Sequence, residues 1–430
     1  YVQWDPREFF YLHDWNVVFV PDGRDFQQVV AAQRTAAALD TGQPTAIVYR
    51  TMKGWKYGVE GKASHGAGHK LCSDGFYEAL AELTGGGAVL PTCDPGDQRC
   101  VSAGKTRRPE GDAVREECFW ATLEVVRARV AAERPVAEAL AARLQAARER
   151  LDRRARRPRV GAPRVDAVYE LVAASGTAIP DELRLAPGSS TTLRGELGRT
   201  LKHLNDASGG AFLIAAADLL GSTSVSTIAA GFAHGFWNAA TNPDARLLSV
   251  GGICEDAIAG VLSGISTYGR GIGVGSSYGA FMAPLGHIAG RLHCIAAQAR
   301  APVSGDAYKP MILVCAHAGL KTGEDGPTHA DPQALQLLQE DFPRGTAISL
   351  TPWEPQEIWT LVAAALAQRP ALMSVFVTRP SELVLDREGL GLAPATAAAT
   401  GVYVLREPAG DPDVTLVLQE SAVAYAFVQE

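Results

Sequence analysis

Apolar runs of strand length alternate with helix-length segments through the second half of the chain. The strand candidates are short, apolar and almost free of charge: Ala211–Ala217, Leu247–Val250, Met311–Ala316, Ala347–Leu350 and Leu372–Thr378. Between them lie segments with apolar residues at helical spacing, such as Pro355–Ala367. Strands that alternate with helices pair in parallel, because each helix returns the chain to the same edge of the sheet. The sequence therefore predicts an α/β fold of doubly wound parallel sheets.

Glu255 stands at a turn between the strand candidate Leu247–Val250 and the helix candidate Ala257–Tyr268. Both neighbours are apolar, and a carboxyl group in an apolar surround costs free energy unless something pairs with it. One interpretation is an acidic residue in the first turn of a helix, where the helix dipole favours it. The other is a carboxyl group kept there for function.

A strand–helix–strand unit is also predicted near the N-terminus. Its strands are Trp15–Val20 and Thr45–Arg50, and its helix is Phe26–Asp40. The loop that follows contains Lys53-Gly54 and then Ser64-His65-Gly66. Because ligands bind beyond the carboxyl ends of parallel strands, this glycine-containing loop is a candidate binding segment.

The remaining segments divide the chain further. Asp112–Arg157, rich in Ala, Arg and Glu, predicts one or two long helices between two α/β domains. Gly269–Gly275 carries a glycine at every second position and is predicted to be a loop, and Pro284–Arg300 is predicted to be helical. Val402–Leu405 and Val414–Leu418 are predicted to be the first strands of a third domain.

Composition excludes several classes of function. The net charge of -7 argues against a general nucleic-acid-binding surface, and the basic run Arg153–Arg159 is interpreted as a solvated linker face. No uninterrupted apolar run approaches the roughly 20 residues of a membrane span. Tyr1–Asp5 lacks a signal-peptide layout. The seven cysteines show no metal-ligand spacing, so reduced thiols and a cytoplasmic location are expected.

Several stretches, in order along the chain, resemble the transketolase family of thiamine-diphosphate enzymes. Gly323–His329 matches the most specific motif of that family in full, and His317 stands at the matching distance upstream. Weaker matches are Ala217-Asp218-Leu219 with Ser222, the Glu255 turn, and Ser64-His65-Gly66 after Lys53-Gly54. The resemblance covers nearly the whole chain.

The resemblance implies a thiamine-diphosphate-binding fold with two α/β domains and the start of a third. Residues 1–95 would be the C-terminal part of a diphosphate-binding domain, followed by a helical linker over 96–160. Residues 161–385 would form the pyrimidine-binding domain, and 386–430 would begin a C-terminal α/β domain. The family anchors a divalent metal, Mg²⁺ or Ca²⁺, through a Gly-Asp-Gly…Asn segment that this chain does not contain. The chain is therefore expected to be a fragment of a longer polypeptide or to be completed by a second chain.

The resemblance also assigns cofactor-binding roles. The cofactor reacts through a carbanion at C2, formed after a carboxyl group on the pyrimidine N1′ drives a tautomer switch, and Glu255 matches that carboxyl group. Such a group must be buried and able to exchange a proton near neutral pH. Tyr278 and Phe281 match aromatic residues against the pyrimidine, although Pro284 replaces a third one. Cofactor contacts are also implied for Asp218, Leu219 and His65.

Substrate-binding roles follow from the same resemblance. His317 and His329 are implied as catalytic residues that contact the substrate, and Asp325 and His65 as further substrate contacts. Arg194 and Ser222 match phosphate-binding positions. Thr351 stands where the family has another phosphate-binding arginine, which predicts weaker preference for phosphorylated sugars.

The sequence thus predicts transfer of a two-carbon ketol unit from a ketose or its phosphate to an aldose or its phosphate. The resemblance implies a homodimer with active sites shared between subunits, and no nucleic-acid or membrane partner. Two alternatives stay open. One is decarboxylation or acyl transfer from a 2-oxo acid, as in the E1 component of pyruvate dehydrogenase. The other is a non-catalytic assembly subunit.

Overall fold

The chain divides into two compact units, residues 1–157 and 158–430. The structure is a computed structural model, and it describes residues 4–56, 60–61, 74–84, 109–155, 157–305, 307–319, 321, 326, 328–329, 342–419 and 421–429. The predicted division into four segments stays a prediction beside this one.

The first unit contains the predicted parallel strand pair. Strands β1 (Asn16–Val20) and β2 (Thr45–Tyr49) pair in parallel, with Val18 opposite Ile47. Its helices are α1 (Pro6–Leu12), α2 (Phe26–Ala38), α3 (Asp74–Thr84), α4 (Pro109–Ala132) and α5 (Arg134–Arg154). Helix α2 begins where predicted because the Asp25 carboxylate accepts hydrogen bonds from the backbone N–H groups of Gln27 and Gln28.

The second unit is built on one parallel sheet of seven strands, in the order β5-β6-β4-β7-β8-β10-β9. These are β4 (Phe212–Ala216), β5 (Ala233–Phe236), β6 (Ala245–Leu247), β7 (Ile272–Ser277), β8 (Met311–Cys315), β9 (Ala347–Leu350) and β10 (Leu372–Phe376). A separate antiparallel pair joins β3 (Ser190–Thr192) to β11 (Ser381–Leu383). The doubly wound parallel sheet predicted from the sequence is confirmed.

Helices cover both faces of this sheet. They are α6 (Val165–Ser175), α7 (Leu193–Ala207), α8 (Glu255–Tyr268), α9 (Met282–Ile288), α10 (Ile295–Ser304), α11 (Glu357–Ala367) and α12 (Ser421–Gln429). One apolar core joins α6, α7 and α11 to the sheet, and a second core joins α8 and α9 to its other face. Strands buried on both faces read as continuous apolar runs, which is why β8 and β10 were recognisable in the sequence.

Three sequence-based expectations are wrong. Gly269–Gly275 is not a loop throughout, because β7 starts at Ile272 and is fully buried. The strand before Glu255 ends at Leu247 instead of Val250. Val402–Leu405 and Val414–Leu418 form no strands; both lie in irregular chain, and their residues Leu405 and Leu418 pack beside α12.

A buried ionic network holds this C-terminal segment in place. The Arg387 guanidinium donates to Glu354 at 3.0 Å and to Glu357 at 2.8 Å, and all three side chains are buried. The Tyr403 hydroxyl donates to Glu357, and the Trp353 ring lies 5.0 Å from the Arg387 guanidinium. Burial raises the pKa of Glu354 against the opposing charge of Arg387. A buried carboxylate pair is tolerated here because a single cation and several hydrogen bonds serve both.

The glycines of β7 generate the first testable prediction. A Cβ on Gly273 would lie 2.5 Å from the backbone oxygen of Leu262 in α8, so Gly273→Ala must push the helix off the strand. We expect a loss of about 2 kcal/mol or more in the free energy of unfolding, measured by denaturant titration. Gly264→Ala is the matched control, because a Cβ there meets nothing within 4 Å. That change should leave stability equal or raise it by up to about 1 kcal/mol. Equal effects of the two changes would show that α8 does not pack closely on β7.

Candidate functional site

The candidate site lies at the carboxyl edge of the seven-stranded sheet. Asp218 follows β4, Tyr278 follows β7, His317 follows β8 and Arg379 follows β10. Because all of these strands are parallel, their carboxyl ends meet at one edge, where ligands bind in open α/β sheets. Neighbouring strands thus bring together residues that are far apart in sequence.

Two histidines and two aromatic rings form a cluster at this edge. The Tyr278 ring lies 4.9 Å from the His317 ring and 5.6 Å from the His329 ring, centroid to centroid. The Phe281 and His329 rings are also 5.6 Å apart, and the two histidine rings 6.3 Å. The backbone N–H of Ala280 donates to the His329 carbonyl at 3.1 Å, which ties His329 to the turn that follows β7. This hydrogen bond fixes the backbone of His329 relative to the turn that carries Tyr278 and Phe281.

Positive charge surrounds His317. Its side chain is buried, and burial lowers the pKa of the imidazole, as do the nearby charges of Arg379, His329 and Arg194 in that order. A base whose pKa falls below its ordinary value of about 6.5 is neutral at pH 7. His317 is therefore available to exchange a proton, in a pocket whose cations favour an anion.

Arg194 and Ser222 are held against each other. Arg194 stands in the first turn of α7, and its guanidinium donates to the backbone carbonyl of Ser222. The Ser222 hydroxyl donates to the carbonyl of Leu219 at 3.4 Å. The structure thus brings the two predicted phosphate contacts together, Arg194 from α7 and Ser222 from the turn after β4, with the guanidinium also close enough to lower the pKa of His317.

A cleft of about 510 Å³ opens at the same carboxyl edge, between the ends of β4, β5 and β6 and the start of α8. Its lining includes Asp218, Phe236, Ser249 and Ile258. Asp218 has a left-handed backbone conformation with φ of 60°, which is uncommon for residues other than glycine. Such backbone strain is concentrated at functional sites, where the surrounding structure maintains it.

Glu255 is the first residue of α8, next to the cleft-lining residues Gly252 and Ile253. Its side chain is half-buried, so the apolar surround expected from the sequence is only partly present. Its carboxyl group makes no hydrogen bond or ion pair with any part of the chain that the structure describes. The first-turn position suits a negative charge, and the free carboxyl oxygens can serve a ligand.

The structure describes only some of the other predicted site residues. The Leu219 carbonyl takes part in the turn that holds Ser222 and Thr223. Lys53 is exposed in the first unit, where its carbonyl accepts a hydrogen bond from Gly61 at 2.9 Å. His65 and Asp325 lie outside the described residues.

Arg379 is the functional candidate that sequence reasoning missed. Its charge lowers the pKa of His317, second only to burial. The available signal was its position: Arg379 follows a fully buried strand, at the edge where the site residues gather. Thr351, where an arginine was expected, follows β9, which is the edge strand of the sheet and is separated from β8 by β10. An arginine was expected after β9, at the position of Thr351. The structure instead has an arginine, Arg379, after β10.

No cluster of metal-ligating side chains occurs among the residues that the structure describes. Within the same ranges, no helix combines the length and the apolar character needed to cross a membrane.

The sequence of this chain is similar to sequences of known proteins. Residues 190–383 match the family described as the transketolase pyrimidine-binding domain. The chain is 28% identical over 180 residues to a transketolase of Sinorhizobium medicae (strain WSM419), covering 41% of this chain and 23% of that protein. It is 27% identical over 118 residues to a transketolase of Treponema pallidum (strain Nichols), covering 27% of this chain and 17% of that protein.

Solved structures show the same fold. A transketolase from Leishmania mexicana superposes with a TM-score of 0.52 at 18% identity, covering 92% of this chain and 51% of that one. A Pichia stipitis transketolase in complex with sedoheptulose 7-phosphate gives a TM-score of 0.55 at 18% identity, with coverage of 93% and 52%. The chain therefore spans about half the length of these structures, and less than a quarter of the curated relatives.

The charges around His317 generate a second prediction. Arg379→Met removes the charge with the largest lowering effect, so the pKa of His317 should rise toward its ordinary value. Histidine-labelled NMR, with the His317 signal assigned by its loss in His317→Gln, measures the midpoint. Arg344→Met, which removes an exposed arginine that is not among the charges acting on His317, is the control.

The direction of the His317 pKa shift also predicts how the free energy of unfolding depends on pH. The pKa of His317 is lower in the folded protein than in the unfolded one. Protonation of His317 therefore reduces the free energy of unfolding as pH falls below about 6.5, and Arg379→Met should make that reduction smaller. An unchanged His317 midpoint in Arg379→Met would contradict the electrostatic arrangement.

Proposed function

This chain belongs to the transketolase family, and from that premise we propose that it transfers a two-carbon ketol unit between sugars. The donor is a ketose or its phosphate, the acceptor is an aldose or its phosphate, and thiamine diphosphate is the cofactor. The observation that carries the proposal is the cluster of His317, His329, Tyr278 and Phe281 at the carboxyl edge of the sheet, the edge at which a cleft also opens.

The residues at this edge fit the pyrimidine end of the cofactor. The Glu255 carboxyl group has no partner in the described chain, and Phe281 exposes 40% of its surface as an apolar platform. When bound, thiamine diphosphate supplies a nucleophilic carbon that takes up the two-carbon unit. Glu255 holds a proton at the pyrimidine N1′, and its half-exposed position would become buried once the site is closed.

His317 and His329 face the sugar. Because its pKa is lowered, His317 is neutral at pH 7 and can accept a proton from a sugar hydroxyl. His329 lies between Tyr278 and Phe281, which orient its ring, and its Nδ1 is 2.9 Å from the Thr328 hydroxyl. Together the two imidazoles position and deprotonate hydroxyl groups on the reacting carbons.

Arg194, Ser222 and Arg379 bind the substrate phosphate. Two guanidinium groups near one buried imidazole create the positive potential that a phosphate dianion requires. With Arg379 present, the weak phosphate preference expected from Thr351 is replaced by an ordinary preference for phosphorylated sugars.

The active unit is a homodimer that joins the second unit of one subunit to the first unit of its partner. Apolar side chains remain exposed on α8 and on the helical segment after it: Val261, Tyr268, Leu292 and Ile295. Large exposed apolar patches are typical of protein interfaces. Mg²⁺ or Ca²⁺ would bind through residues beyond the described ones, and the cytoplasmic location stays a prediction from composition.

A third prediction tests Glu255. Glu255→Gln keeps the shape of the side chain but removes its exchangeable proton, so exchange of the cofactor C2 proton for deuterium should slow by orders of magnitude, while the fold survives. Quenched-flow NMR of the assembled enzyme measures the exchange rate. Asp256→Asn, one position further along α8, is the matched control and should exchange normally. An unaltered rate in Glu255→Gln would remove Glu255 from the mechanism.

A fourth prediction tests the shared site. Glu255→Ala protein and a Lys53→Ala, His65→Ala double variant should each be nearly inactive. After subunit exchange, half of the dimers are mixed, and each mixed dimer has one intact site. Transferase activity should therefore return to about a quarter of wild type. The experiment uses the complete polypeptide if this chain is part of a longer one. If exchange is demonstrated by mass spectrometry and no activity returns, both halves of each site come from one subunit.

A further inference from the structure

A partly buried ion pair joins the segment after His317 to strand β11. The Lys321 ammonium donates to both carboxylate oxygens of Glu382, at 2.9 and 2.8 Å. The Glu382 side chain is 4% exposed and that of Lys321 is 29% exposed. Lys321 belongs to the segment that joins His317 to His329, whereas Glu382 belongs to β11. Burying the Glu382 carboxylate costs free energy unless a partner stabilises its charge, and Lys321 is that partner.

Glu382 also reaches the other arm of the site. The Thr378 hydroxyl donates to Glu382 at 3.5 Å, and the Ser421 hydroxyl donates to Thr378 at 3.3 Å. Thr378 directly precedes Arg379, and Ser421 is the first residue of α12. One carboxylate therefore contacts both the segment that carries the two histidines and the residue next to Arg379.

Tyr425 of α12 covers this pair. The Lys321 ammonium lies 4.7 Å from the centre of the Tyr425 ring, a cation–π distance. The Tyr425 hydroxyl donates to the Leu383 carbonyl at 2.5 Å, and its ring packs edge-on against Trp353 at 5.4 Å. Trp353 in turn lies over Arg387, the centre of the buried ionic network. Helix α12 is thereby anchored to the sheet on one side and to Lys321 on the other.

We propose that Lys321, Glu382 and Tyr425 are positioning residues that form a brace, through which helix α12 sets the distance between Arg379 and the two histidines. The consequence for turnover rests on the proposed function; the positioning itself does not. Without the brace, Arg379 and the segment from His317 to His329 would move independently. The positive charges around the buried His317 side chain would then no longer be held close to it.

The test uses variants that remove the brace without leaving a lone buried charge. Lys321→Met with Glu382→Gln removes both charges together, so the protein should remain folded, as checked by circular dichroism and thermal melting. The His317 midpoint, measured by histidine-labelled NMR, should then rise by about half a pH unit, because Arg379 and burial no longer lower it fully. Tyr425→Leu should shift it in the same direction. The single change Lys321→Arg, which retains the cation, should leave the His317 midpoint at its wild-type value.

Lys202→Met is the matched control, because Lys202 forms an exposed ion pair with Asp206 on α7, away from the brace. It should leave the midpoint unchanged. If the doubly neutral variant folds and its His317 midpoint equals that of the wild type, the brace does not position the site and the proposal is overturned.

A kinetic measurement separates positioning from a general structural role. In the doubly neutral variant the KM for a phosphorylated acceptor should rise by about tenfold, and that for a free aldehyde acceptor should change little. Equal changes for both acceptors would contradict positioning of Arg379. If the wild type transfers no ketol unit while the His317 midpoint still responds to the variants, the proposed function fails and the brace stands.

Discussion

The parallel pairing of β7 with β8 is the constraint on which the site depends. Ser277 lies opposite Cys315 at the last paired position, so the residues just beyond both strands emerge side by side. Tyr278 and His317 are therefore neighbours for a backbone reason, before any contact between their rings is formed. β7 can occupy this central place because its glycines let α8 approach closely: a Cβ on Gly273 would meet the Leu262 backbone. The same close packing fixes the start of α8, and with it Glu255.

Electrostatics then distinguishes the two sides of this edge. On the side of β8 and β10, Arg379 and the histidines concentrate positive charge around a buried imidazole, and Arg194 of α7 adds to it. On the side of β4 and β6, the cleft is lined by Asp218 and apolar residues, and acidic residues begin α8. An anionic sugar phosphate suits the first side, and a cationic or neutral heterocycle suits the second. The brace of Lys321, Glu382 and Tyr425 joins the segment that carries the histidines to β11 and α12.

Most of the fold was predictable because its strands are buried on both faces and therefore appear as continuous apolar runs. β8, β9 and β10 were found within two residues at each end. β7 was missed because its glycines, which favour a loop by local propensity, are needed for close packing that is only visible in three dimensions. The opposite error occurred at Val402–Leu405, whose β-branched and aromatic residues are typical of a strand but have no neighbouring strand among the described residues. Tyr403 is instead held by Glu357 and Trp353.

The site was predictable where a motif carried it and unpredictable where only geometry did. His317, His329 and Glu255 were named as candidates from the sequence, whereas Arg379 was not, because its effect on His317 depends on the pairing of β10 with β8. The most direct measurement of the proposed activity is carbon tracing in the complete assembly with thiamine diphosphate. A ketose phosphate labelled with ¹³C at C1 and C2 is incubated with an unlabelled aldose phosphate, and the products are examined by NMR. Ketol transfer predicts a new ketose in which the two labelled carbons remain bonded, with their mutual coupling intact. Release of labelled carbon dioxide, or no labelled product at all, would contradict it.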